Sequence, residues 1–379
     1  MNANKTTILL FTFLIAALSC NGKNTTTISG RVSKGDLATP SIEEVLTTEG
    51  VMIHEPIQVQ NLSLFMLSGE TAIPGKIYTT LSRAMQEKTV TVHETGSVNE
   101  LSIDNTSDDY IFIHSGDIVK GGKQDRTIAY DVIVPPRAKN VGLASFCVEQ
   151  GRWQQRANET VTSFGSNTKM VSSRDLKLAA RYDKDQAKVW RKVAEQKSHL
   201  NKKLSEKNGY TVNVADSTSN TSLQLALENK SLKQEKKAFY EALAHAIQIP
   251  NAIGYAYAIN GEIYGVERYN NTALFEALWE KLLESIIVEA ISTTEDSGFI
   301  QPTSKMIKTY MEAVNKDAQQ SMKKINATTT FKTISNTKEG NLLFITEDTA
   351  KKEWIHRSFM KGDTRTAQKK GNQRYRNVN

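Results

Sequence analysis

The stretch Tyr110–Trp153 reads YIFIHSGDIVKGGKQDRTIAYDVIVPPRAKNVGLASFCVEQGRW. It contains three apolar, β-prone runs: residues 110–114, 128–134 and 141–148. Runs that are apolar on both faces are typical of strands covered on both sides. Pro135-Pro136 cannot donate ladder hydrogen bonds and therefore marks the turn between the second and third runs. We expect these two runs to pair with each other in an antiparallel sheet.

Charged and amide side chains concentrate at the two junctions of this stretch, GDIVKGGKQDR and CVEQGRW. Arg126 and Arg152 present forked donors that match carboxylate or phosphate oxygens, and Trp153 can lie against a ring. The sequence therefore predicts a site for a small anionic ligand. The predicted ligand-binding residues are Asp117, Lys123, Gln124, Arg126, Glu149, Arg152 and Trp153.

Other interpretations of this cluster stay open. Asp117, Asp125 and Glu149 can instead neutralise the cations in an ion network, which would make the protein structural or an assembly factor. Glu149 or Asp117 can also serve as the general base of a hydrolase, although the sequence contains no complete catalytic set. Cys147 is either a reactive thiol or an inert core residue. Whether the protein is an enzyme is not decided by the sequence.

Motifs for metals and cofactors are absent from the sequence. The six histidines show neither HxxxH nor HxH spacing, so no metal site is predicted. Neither GxGxxG nor GxxxxGK[S/T] occurs, and GxSxG is missing as well, so no cofactor is predicted.

The net charge of +7 is concentrated at one end of the chain. Residues 361–379 hold six Lys or Arg residues against one Asp, which gives +5 and leaves the rest of the chain nearly neutral. A nucleic-acid-binding protein would be expected to carry a basic stripe on its folded part, so no nucleic-acid partner is predicted.

The first residues predict export and a lipid anchor. Lys5 precedes an apolar run, Ile8–Leu18, that is too short to span a bilayer. The ending Ala17-Leu18-Ser19-Cys20 resembles a bacterial lipobox, although a plain signal peptide with Cys20 at the cut is the alternative. We predict a signal peptide (1–19), lipidation of Cys20, a tether (20–50) and attachment to the membrane through the lipid. The predicted location is the bacterial cell envelope, at the outer membrane facing the periplasm.

The remaining pattern predicts an α+β fold: an antiparallel β-sandwich-like domain with packed helices over residues 51–290. Asp183 and Gln186 fit a capping pattern for a charged helix that ends near Lys207. Asn260-Gly261 between β-prone runs suits a two-residue type I′ turn. An apolar helix follows, with a stripe from Leu274 to Ile287.

The C-terminal part is predicted to be separate from this domain. Residues 291–361 are expected to form a small C-terminal α/β unit with a helix near Met306–Val314 and strands at Thr328–Ile334 and Leu342–Thr346. Residues 362–379 have almost no apolar content, which predicts a basic, disordered tail.

Four motifs in this order resemble one known family. They are GGKQDR (121–126), CVEQGRW (147–153), the helix start Asp185-Gln186 with Trp190, and the hairpin INGEIYGVERY (259–269). Together they resemble the ARPP domain family, named for its association with ADP-ribosylglycohydrolase and rhodanese-phosphatase proteins. The resemblance covers roughly residues 50–290 and implies a link to ADP-ribose or nucleotide-derived ligands.

Overall fold

Strands from both ends of the chain meet in one large sheet. The computed structural model describes residues 50–71, 78–154, 162–293, 298–314, 318–336 and 338–362. The strands are β1 (Val51–Ile53), β2 (Ile57–Val59), β3 (Leu62–Gly69), β4 (Tyr78–Thr80), β5 (Val90–Glu94), β6 (Glu100–Asn105), β7 (Tyr110–Ile113), β8 (Asp117–Gly121), β9 (Arg126–Ile128), β10 (Val132–Val134), β11 (Val141–Cys147), β12 (Phe164–Val171), β13 (Ala252–Ile259), β14 (Glu262–Tyr269), β15 (Gln319–Lys324), β16 (Thr329–Asn336), β17 (Asn341–Asp348) and β18 (Glu353–Lys361). The helices are α1 (Leu81–Gln86), α2 (Arg174–Lys177), α3 (Gln186–Asn208), α4 (Leu223–Leu227), α5 (Lys230–Leu243), α6 (Thr272–Ser292) and α7 (Ser304–Ala313).

The strands form three sheets, and the predicted α+β class is confirmed. The nine-stranded sheet has the order β1-β3-β13-β14-β18-β17-β16-β15, with β2 added beside β3. The six-stranded sheet has the order β12-β8-β9-β11-β6-β5, and the third sheet is β10-β7-β4. Neighbouring strands are antiparallel except for the parallel pair of β4 and β7.

The second apolar run of the opening stretch is divided into two strands. Its first residue, Ile128, is the last residue of β9, which pairs antiparallel with β11 as predicted, with Ile128 opposite Ser145. Its second part, β10, pairs with β7, so the expected pairing of the whole run with the third run was wrong. The break falls at Ala129–Asp131, where Asp131 Oδ1 accepts a hydrogen bond from the Ser115 N–H at 2.6 Å.

The Asn260-Gly261 hairpin is confirmed. Strands β13 and β14 pair antiparallel with Ile259 opposite Glu262. The φ angles of Asn260 and Gly261 are 50° and 76°, and two successive positive φ angles define the type I′ geometry. Local turn chemistry therefore specifies this part of the nine-stranded sheet.

Helix α6 lies between two of the sheets. It contacts β12 of the six-stranded sheet and β13 of the nine-stranded sheet, and its side chains are buried on nearly every face. Most of these side chains are apolar, as expected for a helix in such a position, and each fully buried Leu or Ile stabilises the fold by roughly 1.5–3 kcal/mol. Asn271 caps its first turn by accepting a hydrogen bond from the Leu274 N–H at 2.8 Å.

Helix α3 begins two residues later than the predicted capping pattern. Asp185, not Asp183, accepts the capping hydrogen bond from the Lys188 N–H at 2.9 Å. The preceding residue, Lys184, has a left-handed conformation (φ 55°) that separates α3 from the π-helical turn Leu178–Asp183 following α2. The predicted apolar line of α3 is buried: Val189, Val193, Leu200 and Leu204.

The chain is not divided at residue 290. Strand β18 pairs with β14, so β15–β18 continue the nine-stranded sheet and do not form a separate C-terminal unit. Helix α7 covers the other face of this sheet, where Ile307 and Met311 pack in a cluster with Phe65, Leu343 and Phe359. Long-range strand pairing of this kind is not visible in local sequence patterns.

Three predictions fall on residues outside the described ranges: the signal peptide, the lipidated Cys20 with most of its tether, and the basic tail after Gly362. Among the helices that the structure does describe, none is long and apolar enough to cross a membrane.

Candidate ligand-binding site

Arg152 ties the two predicted junctions together. Its guanidinium carries five N–H donors, and each points to a protein acceptor. The side chain is only 8% exposed. The acceptors are Glu149 Oε2 (2.6 Å), Asp125 Oδ1 (3.4 Å) and the carbonyl oxygens of Gly121 (3.3 Å), Gly122 (3.2 Å) and Gln154 (2.7 Å). Arg152 therefore acts as a clamp within the protein, with its donors already committed.

The two carboxylates of this clamp are fully buried. Glu149 also accepts hydrogen bonds from the Asp125 N–H at 3.3 Å and from the Ser219 hydroxyl. Asp125 accepts from the Gly121 N–H at 3.0 Å and from Ser222 Oγ at 3.2 Å. This arrangement favours the ion-network interpretation, because a buried, ion-paired Glu149 is poorly placed to act as a general base.

Arg126 is 1% exposed and lies beside Cys147. It donates to Gln124 Oε1 at 3.3 Å and to Glu94 Oε1 at 3.4 Å. Burial raises the pKa of the Cys147 thiol to about 11, although Arg126 opposes this shift. A thiol that stays protonated is a weak nucleophile, which favours the inert interpretation of Cys147. Trp153 is 56% exposed, with its ring centre 5.9 Å from the Arg126 guanidinium.

The other predicted residues are divided between two places. Asp117 lies away from the clamp, where it pairs with Lys281 of α6 and accepts a hydrogen bond from the His114 N–H at 3.0 Å. Lys123 is half-buried on the turn before Gln124. The structure thus pairs Glu149 with Arg152 and places Gln124 and Trp153 against Arg126. The buried Nε of Arg126 has no hydrogen-bond partner among the described residues.

A second cluster of charged side chains is buried around His356 on β18. His356 Nδ1 lies 2.7 Å from Asp131 Oδ2, and Nε2 lies 2.8 Å from Glu267 Oε2. Asp131 also accepts hydrogen bonds from the Ser115 N–H and the Thr346 hydroxyl, both at 2.6 Å. The histidine therefore bridges two carboxylates that come from distant strands.

The charges of this cluster follow from its contacts. Burial alone would lower the pKa of His356, but Asp131 and Glu267 outweigh burial and raise it. Although burial opposes it, His356 holds the pKa of Asp131 well below its usual range, and Lys177 does the same for Glu267. The two carboxylates therefore favour the protonated form of His356.

His114, Asp131 and His356 are the described residues whose positions suit a metal ion. Their ligand atoms all lie within 4.8 Å of one another. His114 Nδ1 is 2.6 Å from the Ser115 carbonyl oxygen, which is the kind of contact that orients a metal-binding imidazole. A cation would, however, replace the proton between His356 and Asp131. The spacing of the histidines in the sequence does not indicate this group, because its members lie on separate strands and loops.

Helix α2 and the π-helical turn after it connect this cluster to a surface cleft. Lys177 and Arg181 point inward: Lys177 Nζ lies 3.3 Å from Glu267 Oε1, and Arg181 donates to Ser358 Oγ at 2.9 Å. The opposite side of the same segment lines a cleft of about 450 Å³. The cleft is lined by Arg174, Asp175, Leu178, Tyr182, Asp183, Lys188, Lys192, Glu262, Lys361 and Gly362.

Arg174 has a different environment from Arg152. Its Nε donates to Asp175 Oδ1 at 3.2 Å, and its guanidinium lies 4.0 Å from the centre of the Tyr264 ring. Within the described ranges, its two terminal nitrogens have no protein hydrogen-bond acceptor. Burial alone would lower the pKa of Arg174, but Asp175 and Glu289 raise it, so the group stays charged. The cleft therefore contains an oriented cation with free donors.

These features define an α+β protein with antiparallel sheets, a buried charge network and a polar cleft beside it. Residues 50–360 match the ARG and Rhodanese-Phosphatase-superfamily-associated Protein domain, ARPP-1, and the chain belongs to this family. The resemblance noted in the sequence is confirmed, and the match continues past residue 290 through β15–β18. No curated protein and no solved structure matches the chain.

Sequence reasoning missed the residues of the cleft. Arg174 stands outside the motifs, in the ordinary polar run SSRDLK, and nothing local marks it. A signal for Glu289 was present, because a carboxylate inside the apolar run IIVEAIS of a buried helix needs a partner. Its partners are the Arg174 N–H at 3.1 Å and the Tyr257 hydroxyl at 2.9 Å.

Proposed function

We propose that the protein is an envelope lipoprotein, anchored through Cys20, that binds a small anionic ligand in the cleft at Arg174. The observation that carries the ligand part is the guanidinium of Arg174, which Asp175 and Tyr264 orient while its terminal nitrogens stay free of protein acceptors among the described residues. Because the charged group is already oriented, less conformational entropy is lost when a ligand binds to it.

The composition of the cleft narrows the class of ligand. Four cationic side chains face three carboxylates, so the lining carries a formal charge of +1. Lys188 and Lys192 are occupied by Asp183 at 2.7 Å and by Asp175 at 3.2 Å, which leaves Arg174 and Lys361 for an anion. Leu178 adds an apolar wall. A phosphate or carboxylate attached to a ring suits this mixture, and the proposed class is a nucleotide- or ADP-ribose-derived anion.

The anchor is supported by the residues before Cys20. The charged start, the short apolar run and the Ala17-Leu18-Ser19-Cys20 ending are the arrangement that bacterial lipoproteins share. A lipid on Cys20 would hold the folded part at a membrane surface while the cleft remains in water.

A ligand-free structural lipoprotein is the second candidate. The observation that favours it is Arg152, whose donors are all committed to the protein. Under this alternative the conspicuous motif residues serve the fold, and the Arg174 cleft binds only water and salt.

Thermal unfolding with added ligands separates the two candidates. Pyrophosphate, AMP and ADP-ribose are added to the protein at increasing concentrations, because a ligand that binds only the folded state stabilises it by about 2.7 kcal/mol at roughly 100 times Kd. We expect at least one phosphate-bearing probe to raise Tm by several degrees in the wild type and not in Arg174→Gln. Arg191→Gln, an exposed change of the same charge on α3, is the control that should respond like the wild type. A flat Tm with every probe at millimolar concentration refutes the proposal.

A further inference from the structure

A second, smaller cavity adjoins the cleft. It has a volume of about 230 Å³ and shares Arg174, Asp175 and Lys192 with the cleft, so a ligand held by Arg174 has access to both. Its inner part is formed by Gln196 of α3 and Glu289 of α6. Both side chains are 7% exposed.

Gln196 has an unusual environment for a buried amide. Neither its side-chain oxygen nor its nitrogen has a hydrogen-bond partner in the part of the chain that the structure describes. Buried amides in native proteins are nearly always paired, and an unpaired one calls for a water, an ion or a ligand. Gln196 stands on the buried apolar line of α3, between Val193 and Leu200, where an apolar residue would satisfy the fold better.

Glu289 supplies the second polar group of this cavity. Its oxygens accept hydrogen bonds from the Arg174 N–H and the Tyr257 hydroxyl, which fix the position of the carboxyl group. Burial raises the pKa of Glu289 to about 7, against the opposing effect of Arg174. Around neutral pH the carboxyl group can therefore either donate or accept a hydrogen bond.

We propose, on the basis of the proposed function, that this cavity binds the uncharged end of the ligand, a group that presents a hydrogen-bond donor beside an acceptor. The carboxamide of Gln196 offers one acceptor and two donors in a plane, which is the complement of a carboxamide or of the edge of a nucleobase. Arg174, which lines both cavities, binds the phosphate, and the carboxamide of Gln196 forms hydrogen bonds with the edge of the base. The ligand is accordingly a nucleotide-like molecule with an amino group next to a ring nitrogen, as in adenine.

The alternative for Gln196 is an ordered water that serves the fold. The two explanations differ in what Gln196→Leu does to the ligand-free protein. A residue kept polar for a ligand costs stability until the ligand arrives, so replacing it with Leu should raise the Tm of the free protein. A residue that holds a structural water should lower Tm when it is replaced.

The test compares two probes that differ only at the base edge, AMP and purine riboside 5′-monophosphate, with pyrophosphate as the probe for the Arg174 part alone. We expect the wild type to bind AMP about tenfold more tightly than the analogue that lacks the amino group. Gln196→Leu should remove this preference, keep pyrophosphate binding and raise Tm in the free protein. Gln196→Glu has a similar shape but no amide donor and should also weaken AMP binding. It replaces Gln196→Leu in the test if the Leu variant does not fold.

The other possible results contradict either the base-edge assignment alone or the whole proposed function. If the wild type binds AMP and the analogue equally, or if Gln196→Leu retains the preference, the base-edge assignment is wrong while the anion site at Arg174 stands. If no probe binds at all, pyrophosphate included, the proposed function fails and the inference fails with it.

Discussion

Arg152 and Arg174 are both largely buried arginines beside carboxylates, with side chains that are 8% and 15% exposed. Arg152 donates all five guanidinium N–H groups to protein acceptors, whereas Arg174, within the described residues, donates only its Nε–H and its backbone N–H. The sequence motifs indicated Arg152 as a site residue and gave no indication of Arg174. A dense group of charges marks a place of structural importance, but the donors left unpaired after folding indicate where a ligand can bind.

The largest expected effect comes from breaking the Arg152 clamp. Arg152→Gln leaves Glu149 as a buried carboxylate without its cation, which should cost about 3–5 kcal/mol of the free energy of unfolding. Chemical denaturation measures this loss. Arg137→Gln is the control, because Arg137 pairs with Asp108 at the exposed surface and should leave the midpoint close to that of the wild type. A similarly small effect for Arg152→Gln would contradict the clamp.

The second prediction concerns the pH dependence given by His356. Because its pKa is raised in the folded state, its contribution is complete below the unfolded value near 6.5 and is lost as pH rises through the folded pKa. The free energy of unfolding should fall by at most about 1.4 kcal/mol per pH unit over that range. His356→Gln should abolish this alkaline loss. An equal alkaline slope in the variant and the wild type would show that the bridge is not charged.

The same cluster predicts an opposite effect in acid. The pKa values of Asp131 and Glu267 are lowered by folding, so their contributions are present above the unfolded values near 4 and are lost as pH falls below them. The free energy of unfolding should therefore be greatest between about pH 4, below which the carboxylates are lost, and about pH 6.5, above which the contribution of His356 begins to fall. Denaturation curves at a series of pH values test both limbs together, and a monotonic profile would contradict the assignment.

A smaller effect is expected at the rim of the cleft. Lys361 is exposed and lines the cleft, so Lys361→Gln should weaken pyrophosphate binding by only about two- to threefold, and less at high salt. Isothermal titration at two salt concentrations measures both changes. Lys352→Gln on the same part of the chain, outside the cleft lining, is the matched control. A loss as large as that of Arg174→Gln would place the anion at Lys361 instead.

The smallest effect on the folded part is expected from Cys20→Ala. If Cys20 is acylated, the variant should accumulate as an uncleaved precursor or without lipid, while its ligand-binding properties stay unchanged. Mass analysis of the mature N-terminus distinguishes these forms. A mature wild-type protein that begins at another residue and carries no lipid would contradict the proposed lipid anchor at Cys20.

Local chemistry determined which parts of the fold were predictable. The Asn260-Gly261 turn and the apolar helix that became α6 depend on neighbouring residues, and both were found where the sequence indicated. Strand β15, QQSMKK, was missed because an exposed edge strand has no apolar alternation to detect. The place of β18 in the sheet depends on pairing with β14, more than 80 residues away in the chain, as the register Tyr269–His356 shows.

The site was predictable only in part for a related reason. The sequence indicated two charged junctions, and the structure pairs Glu149 with Arg152 and places Trp153 over Arg126. It did not reveal whether their partners would be a ligand or the protein, since that depends on carbonyl groups such as those of Gly121 and Gly122. The roles proposed for Arg174 and Gln196 depend on side-chain nitrogens and oxygens that have no partner among the described residues.

One experiment distinguishes the clamp at Arg152 from the ligand site proposed at Arg174. It measures two quantities on variants of both residues: the free energy of unfolding without ligand and the rise in Tm with pyrophosphate or AMP. Arg174→Gln should lose the ligand-induced rise while changing the unfolding free energy by less than about 1 kcal/mol. Arg152→Gln should lose about 3–5 kcal/mol of stability and, below its own Tm, still respond to the ligand. If Arg174→Gln keeps the response and Arg152→Gln loses it, the ligand binds at the motif junctions and the assignment of clamp and cleft is reversed.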